Sequence, residues 1–219
     1  MPVYHRSRLI HIHIPKTGGT AIERFFHSID DMVWGKESWL GQEYLHHRWY
    51  EFQHLSMSEL LSFTTEFRAF HSFAVIRNPY SRLVSEFHWR HSILQQRDAP
   101  LRSFDSIEDL VWAIPSQIDT QWRDCLTGAD QRQSNFLIHV RPQHHYVCLP
   151  NGKQVVTELL RFEQLKQDFN ALLSRYGMHT DAIRPFREQN FVDYFDRDTL
   201  DRVNAIYASD FTLGGYNML

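Results

Sequence analysis

Residues 9–20, Leu-Ile-His-Ile-His-Ile-Pro-Lys-Thr-Gly-Gly-Thr, restrict the fold more than any other stretch of this chain. Ile10, Ile12 and Ile14 alternate with His11 and His13, the period of a strand with two unlike faces. Pro15 then ends the pairing, and Gly18 and Gly19 let the backbone turn sharply and approach a ligand. Beyond them, Thr20 and Glu23 fit a capping box, and Ile22, Phe25, Phe26 and Ile29 recur at helical spacing. Strand, tight loop and helix in that order form an anion cradle, because a helix N-terminus presents unpaired N–H groups. Lys16 adds a mobile positive charge, and Thr17 and Thr20 add hydroxyl donors. A Gly-Gly pair alone is an ordinary turn; with Lys16, two threonines and this context, the segment is read as a phosphate site. The lysine precedes the glycines, so it is not a Walker A loop.

The same grammar recurs twice. Phe73–Ile76 is an unbroken apolar run suited to a buried parallel strand. Asn78 can cap and Pro79 can open a helix that turns Leu83, Val84 and Phe87 inward. A third strand is expected within Val155–Phe162, with a helix from about Glu163 to Tyr176 carrying Leu165, Phe169, Leu172 and Leu173 and stopped by Gly177. A last helix, roughly Thr199–Ser209, is expected to pack on the sheet through Leu200, Val203 and Ile206. Strands alternating with helices predict an α/β fold, P-loop-like and doubly wound, with a mainly parallel sheet covered by helices on both faces. With 219 residues, 42% hydrophobic, and no linker or repeat, residues 1–219 are read as a single domain.

Lys16 and its loop, Lys16-Thr17-Gly18-Gly19-Thr20, together with Arg77-Asn78-Pro79 and Ser85, resemble the phosphate motifs of sulfotransferases that use 3'-phosphoadenosine 5'-phosphosulfate (PAPS). Within that family the Pro-Lys-Thr-Gly-Gly-Thr string resembles the carbohydrate sulfotransferases related to heparan sulfate 2-O-sulfotransferase. The resemblance implies that the loop takes the 5'-phosphosulfate, with Lys16 on the bridging oxygen, and that Arg77 and Ser85 hold the 3'-phosphate. Arg141-Pro142-Gln143, Arg161-Phe162-Glu163 and Tyr207–Tyr216 extend it more weakly. The product would be 3'-phosphoadenosine 5'-phosphate (PAP), and no metal is required, because a sulfuryl group carries less charge than a phosphoryl group.

An acceptor hydroxyl has to lose a proton as it attacks, and neutral histidine is the usual means near pH 7. Of 14 histidines, His54 is chosen: Ser56 and Glu59 form a capping box just after it, and the positive helix end keeps an adjacent imidazole neutral. The family also places a histidine base between the two phosphate motifs. His11, His13 and His71 are read as structural, with a contact to the cofactor left open for each. Arg141 and Gln143 are candidates to orient the acceptor, with His144 and His145 in the same wall. Trp34, Trp39 and Trp49 either stack on a sugar or fill the core.

Lys plus Arg number 23 against 26 Asp plus Glu, a formal net charge of −3, so no general basic field exists for nucleic acid or a long polyanion. The resemblance implies a carbohydrate hydroxyl as acceptor, and a neutral glycan, glycolipid or small hydroxylated metabolite fits this charge at least as well. Cys125 and Cys148 are too few for a disulfide framework and are read as free thiols, with a single bridge between them left open, and no transmembrane segment is read. A soluble chain in a reducing, cytoplasmic compartment is expected. Two rivals remain: a phosphotransferase of the kinase type, which needs Mg2+ and an acidic partner, and a nucleotide-binding domain without chemistry.

Overall fold

The computed structural model describes all residues except 1, 30–31, 34–41, 46–47, 97–98, 100 and 185–189, and describes 32–33, 42–45 and 48–51 by their backbone alone. Trp34 and Trp39, and the side chain of Trp49, therefore lie outside the described residues. The chain begins with β1 (Val3–Tyr4), β2 (Leu9–Ile12), α1 (Gly19–His27), β3 (Met32–Val33), β4 (Gln42–Leu45), β5 (Arg48–Glu51) and α2 (Met57–Phe63). β6 (His71–Ile76), α3 (Pro79–Gln96), α4 (Ile107–Trp112), α5 (Trp122–Cys125), α6 (Gln131–Val140) and α7 (His144–Val147) follow. The last elements are β7 (Glu158–Arg161), α8 (Leu165–Ser174), α9 (Arg197–Ile206) and α10 (Ala208–Gly214). They gather into two compact units interleaved in sequence.

The first unit comprises Met1–Gly41, Glu51–Arg77 and Gln143–Glu188. Its 5-stranded sheet runs β3-β1-β2-β6-β7. β2, β6 and β7 are parallel, with His11 opposite Phe73 and Ala74 opposite Leu159. β1 is antiparallel to both its neighbours, so the sheet is mixed at this edge. The physical reason is length: the short segment between Tyr4 and Leu9 can close a hairpin but cannot make a parallel crossover. All of Ser72–Ile76 is buried, as are both alternating sets of β2 residues, so the central strands are covered on both faces in the manner of an α/β protein. Phe73 and Val75 share a core with Ile22 and Phe26 of α1 and with Leu165, Phe169, Leu172 and Leu173 of α8. The stripe read for α8 is the face it buries, and Gly177, at φ 68, follows where a left-handed residue ends the turn. Ile29, expected to continue the α1 stripe, is 41% exposed because the helix has already ended at His27.

The second unit comprises Gln42–Tyr50, Asn78–Pro142 and Gln189–Leu219. Its core is helical. Leu83 and Val84 of α3, Leu110 and Val111 of α4, Phe136 and Leu137 of α6, Val203 and Ile206 of α9 and Phe211 of α10 form one cluster. α3 starts at Pro79 as its sequence predicts, with Asn78 Oδ1 accepting from the Tyr80 N–H at 3.0 Å. The expectation that the last helix packs on the sheet is corrected: α9 lies in this helical unit, against α4. Its stripe signals a buried face and says nothing of which partner covers it.

Inside this unit a polar network interrupts the apolar core. Glu86 Oε1 pairs with Arg90 Nε at 2.6 Å and Glu86 Oε2 with His139 Nδ1 at 2.9 Å, while Arg90 Nη2 donates to Asn135 Oδ1 at 3.0 Å. Glu86 and Arg90 are each 1% exposed. A buried charge holds its state only when paired and hydrogen-bonded in this way. Arg82, also buried, donates from Nη2 to the carbonyls of His139 and Arg141, satisfying acceptors at the end of α6. Among the described residues no helix is long and apolar enough to cross a membrane, and Cys125 and Cys148 are free thiols.

Candidate active site

The loop from Pro15 to Gly19 leaves β2 and enters α1 in the first unit. Two of its residues are left-handed: Lys16 at φ 68 and Gly18 at φ 90. For a lysine that conformation is uncommon, and strain of this kind collects at ligand clamps. Gly18 is the N-cap of α1 and supplies no side-chain cap. The capping box read between Thr20 and Glu23 is thereby corrected: the N-cap is Gly18, two residues earlier, and the Glu23 carboxylate turns instead to His13 Nδ1, 2.5 Å away. Thr20 is exposed within the first turn, whereas Thr17 is fully buried and its hydroxyl donates to the Ile14 carbonyl at 2.9 Å. The Thr17 hydroxyl, expected as a donor to phosphate, thus braces the loop.

Packing explains both glycines. A Cβ on Gly18 would lie 3.0 Å from Leu165 and 3.3 Å from the Phe162 ring, in a backbone conformation that already favours glycine. A Cβ on Gly19 would lie 2.3 Å from the His13 ring. The loop is therefore wedged between His13 on one side and the start of α8 on the other.

His54 ends the 3-10 turn Phe52–His54, just before α2, and is 9% exposed. The capping box read after it is present: the Glu59 N–H donates to Ser56 Oγ at 3.2 Å, and Glu59 Oε2 accepts from the Ser56 N–H at 2.9 Å. His54 Nδ1 lies 2.9 Å from the His13 carbonyl. A carbonyl only accepts, so Nδ1 carries the proton, and the lone pair of the neutral ring is on Nε2. The ring stands edge-on to His13, centroids 4.8 Å apart.

Sequence reasoning took His13 and His11 as structural and missed the cluster they build. His13 joins Glu23 of α1, Gln53 (whose amide donates to Glu23 at 3.5 Å) and the carbonyl contact to His54. Behind it, His11 stacks between His13 and Phe73. Burial, and then the neighbouring His13, hold the His11 imidazole well below its usual range, so this ring is neutral. The signal available in the sequence was the alternation of histidines with isoleucines; the partners Glu23 and Gln53 carried none.

Arg77 follows β6 and is 8% exposed. Its Nη1 donates to the Lys16 carbonyl at 3.0 Å, and the guanidinium lies over the Phe162 ring, 4.0 Å from its centroid. The loop and this arginine, 61 residues apart in sequence, thus meet directly. Gln143, expected to face an acceptor, is 1% exposed, and its amide holds the backbone of Arg77. Arg141, expected in an acceptor wall, lies in the second unit and is 6% exposed, with its guanidinium over the Trp122 ring. Ser85 is half-buried on α3 of the second unit. His71 bonds Glu158 at 3.2 Å, on the sheet and outside this cluster.

The arrangement offers an uncapped helix end, a lysine and an arginine for anions, and a histidine whose tautomer presents a basic nitrogen. A family model described as the sulfotransferase family matches residues 2–217. No curated protein and no solved structure matches the chain. On the extent of the family match, which takes in every residue of the cluster, the chain belongs to the sulfotransferase family.

Proposed function

We propose that this sulfotransferase takes its sulfuryl group from PAPS and passes it to a hydroxyl of a carbohydrate or other hydroxylated acceptor, releasing PAP. The single observation that supports the donor assignment is the contact between the Lys16 loop and the Arg77 guanidinium, within one unit, since these are groups that the motifs assign to the two phosphates. The N–H groups at the start of α1, with Gly18 and Gly19 giving close backbone approach, receive the 5' side. Thr17 contributes backbone and Thr20 a hydroxyl. Lys16 meets the negative charge that grows on the 5'-phosphate oxygen as its bond to sulfur breaks. Arg77 and Ser85 keep the 3'-phosphate role that their motif gives them.

His54 Nε2 accepts the acceptor's hydroxyl proton while the new oxygen–sulfur bond forms. The His13 carbonyl keeps the proton of the resting ring on Nδ1, so the lone pair stays where the acceptor needs it. No step asks for a metal. The formal charge of −3 favours a neutral glycan or small hydroxylated metabolite over a densely sulfated polymer, and the free thiols suit a reducing, cytoplasmic setting. The kinase reading gains nothing from the family match. A binding domain without chemistry is the remaining alternative.

Calorimetry with PAP, ATP and ADP, followed by an acceptor screen with labelled PAPS, tests the reading. PAP should bind most tightly, and Lys16→Ala and Arg77→Ala should each lower transfer. Equal affinity for ATP, or unchanged kinetics in both variants, overturns it; tight PAP binding without transfer to any acceptor selects the binding domain.

A further inference from the structure

The Gln143 side chain makes a reciprocal pair of hydrogen bonds with one residue's backbone. Its Oε1 accepts from the Arg77 N–H at 2.9 Å, and its Nε2 donates to the Arg77 carbonyl at 2.7 Å. Both backbone groups belong to the residue that follows β6, where the sheet ladder has stopped and they need new partners. The two residues are 66 positions apart, so no local turn explains the pairing. From that anchored backbone the Arg77 side chain runs over Phe162 to the Lys16 carbonyl. The amide therefore stands at the root of a chain of contacts that ends on the anion loop.

We infer that Gln143 is a positioning residue: by fixing the backbone of Arg77 it sets where the guanidinium meets the 3'-phosphate, and so governs discrimination in favour of 3'-phosphorylated nucleotides. A side-chain amide suits this work because it offers one donor and one acceptor in a plane, matching the N–H and C=O of a single residue. A carboxylate supplies two acceptors, and an aliphatic chain of similar size supplies neither. The inference rests on the donor reading above.

The test measures affinities for PAP and for adenosine 5'-monophosphate, which lacks the 3'-phosphate, in the wild type, Arg77→Ala, Gln143→Leu, Gln143→Glu and the Arg77→Ala/Gln143→Leu pair. The wild type should prefer PAP. Gln143→Leu should lower that preference roughly ten- to hundredfold, the loss expected when a guanidinium's hydrogen bond to a charged group is misplaced, with affinity for the monophosphate nearly unchanged. The double variant should be no worse than Arg77→Ala, because both act through one guanidinium. If Gln143→Leu does not fold, Gln143→Glu carries the measurement: it keeps the acceptor and loses the donor, and its preference should fall by less. A wild-type preference abolished by Arg77→Ala but retained in a folded Gln143 variant overturns this inference alone. A wild type that binds both nucleotides equally overturns the donor reading, and the inference with it.

Discussion

Gly19 and His13 fit together so closely that a Cβ on the glycine would stand 2.3 Å from the imidazole's Cδ2 and Nε2. The ring has little freedom to withdraw, since Glu23 holds its Nδ1 at 2.5 Å and His11 stacks on it. Gly19→Ala should therefore behave as overpacking, costing about 1–3 kcal/mol and several degrees of melting temperature. Adding His13→Ala opens the space, so the two substitutions together should cost clearly less than the sum of each alone. Additive losses in thermal melts would show that the methyl group is accommodated some other way.

For His54 the informative substitution is asparagine. Its side-chain amide can donate to the His13 carbonyl as Nδ1 does now, while offering no basic nitrogen. His54→Asn and His54→Ala should both lower turnover by about two to four orders of magnitude and leave PAP affinity nearly intact, with Asn the closer to wild type in stability. Steady-state kinetics beside calorimetry give both readouts, and normal turnover in either variant removes His54 from the role of base.

What could be read from the sequence divides along a physical line. The strand that starts at Leu9 (read to Ile14, formed to Ile12), the α8 stripe, the Ser56–Glu59 box and the Asn78-Pro79 start depend on residues a few positions apart, where periodicity and capping act directly. Thr20 and Glu23 show the limit of such local rules: the pattern was right for a cap, but a left-handed Gly18 took the position and His13 claimed the carboxylate. The Gln143 clamp and the attachment of α9 to a helical unit involve partners far apart in sequence. A polar residue that will be buried against a distant backbone has the same local signature as one that will face a substrate, so the Arg77 partner of Gln143 is not legible in the sequence.

His11 makes stability depend on pH in a defined direction. Its folded-state imidazole is held well below its usual range by burial and by His13, so as pH falls through about 6.5 the unfolded chain takes up a proton that the folded chain refuses. Stability should then fall with pH, by up to about 1.4 kcal/mol per unit from this one group, until the folded-state value is reached. His11→Phe keeps the stacking on Phe73, whose centroid is 5.0 Å away, and cannot titrate. Urea unfolding at several pH values between 5 and 8 should show a shallower slope for the variant; an identical slope places the acid sensitivity elsewhere.

Glu86 answers to a different balance. Its carboxylate is the shared partner of Arg90 and His139 in a core otherwise built from Phe136, Leu137 and Leu83. Removing it by Glu86→Ala leaves the Arg90 guanidinium buried without its counter-charge, a loss of about 3–5 kcal/mol, or roughly ten degrees or more in melting temperature. Removing both charges with residues of similar shape, Glu86→Leu with Arg90→Met, takes away the attraction and the desolvation cost together. The double variant should therefore be more stable than Glu86→Ala even though it lacks more hydrogen bonds. Thermal melts of both decide the matter: a double variant less stable than the single one would mean that the contacts of Arg90 to Asn135 and the Arg102 carbonyl outweigh the cost of its unpaired charge.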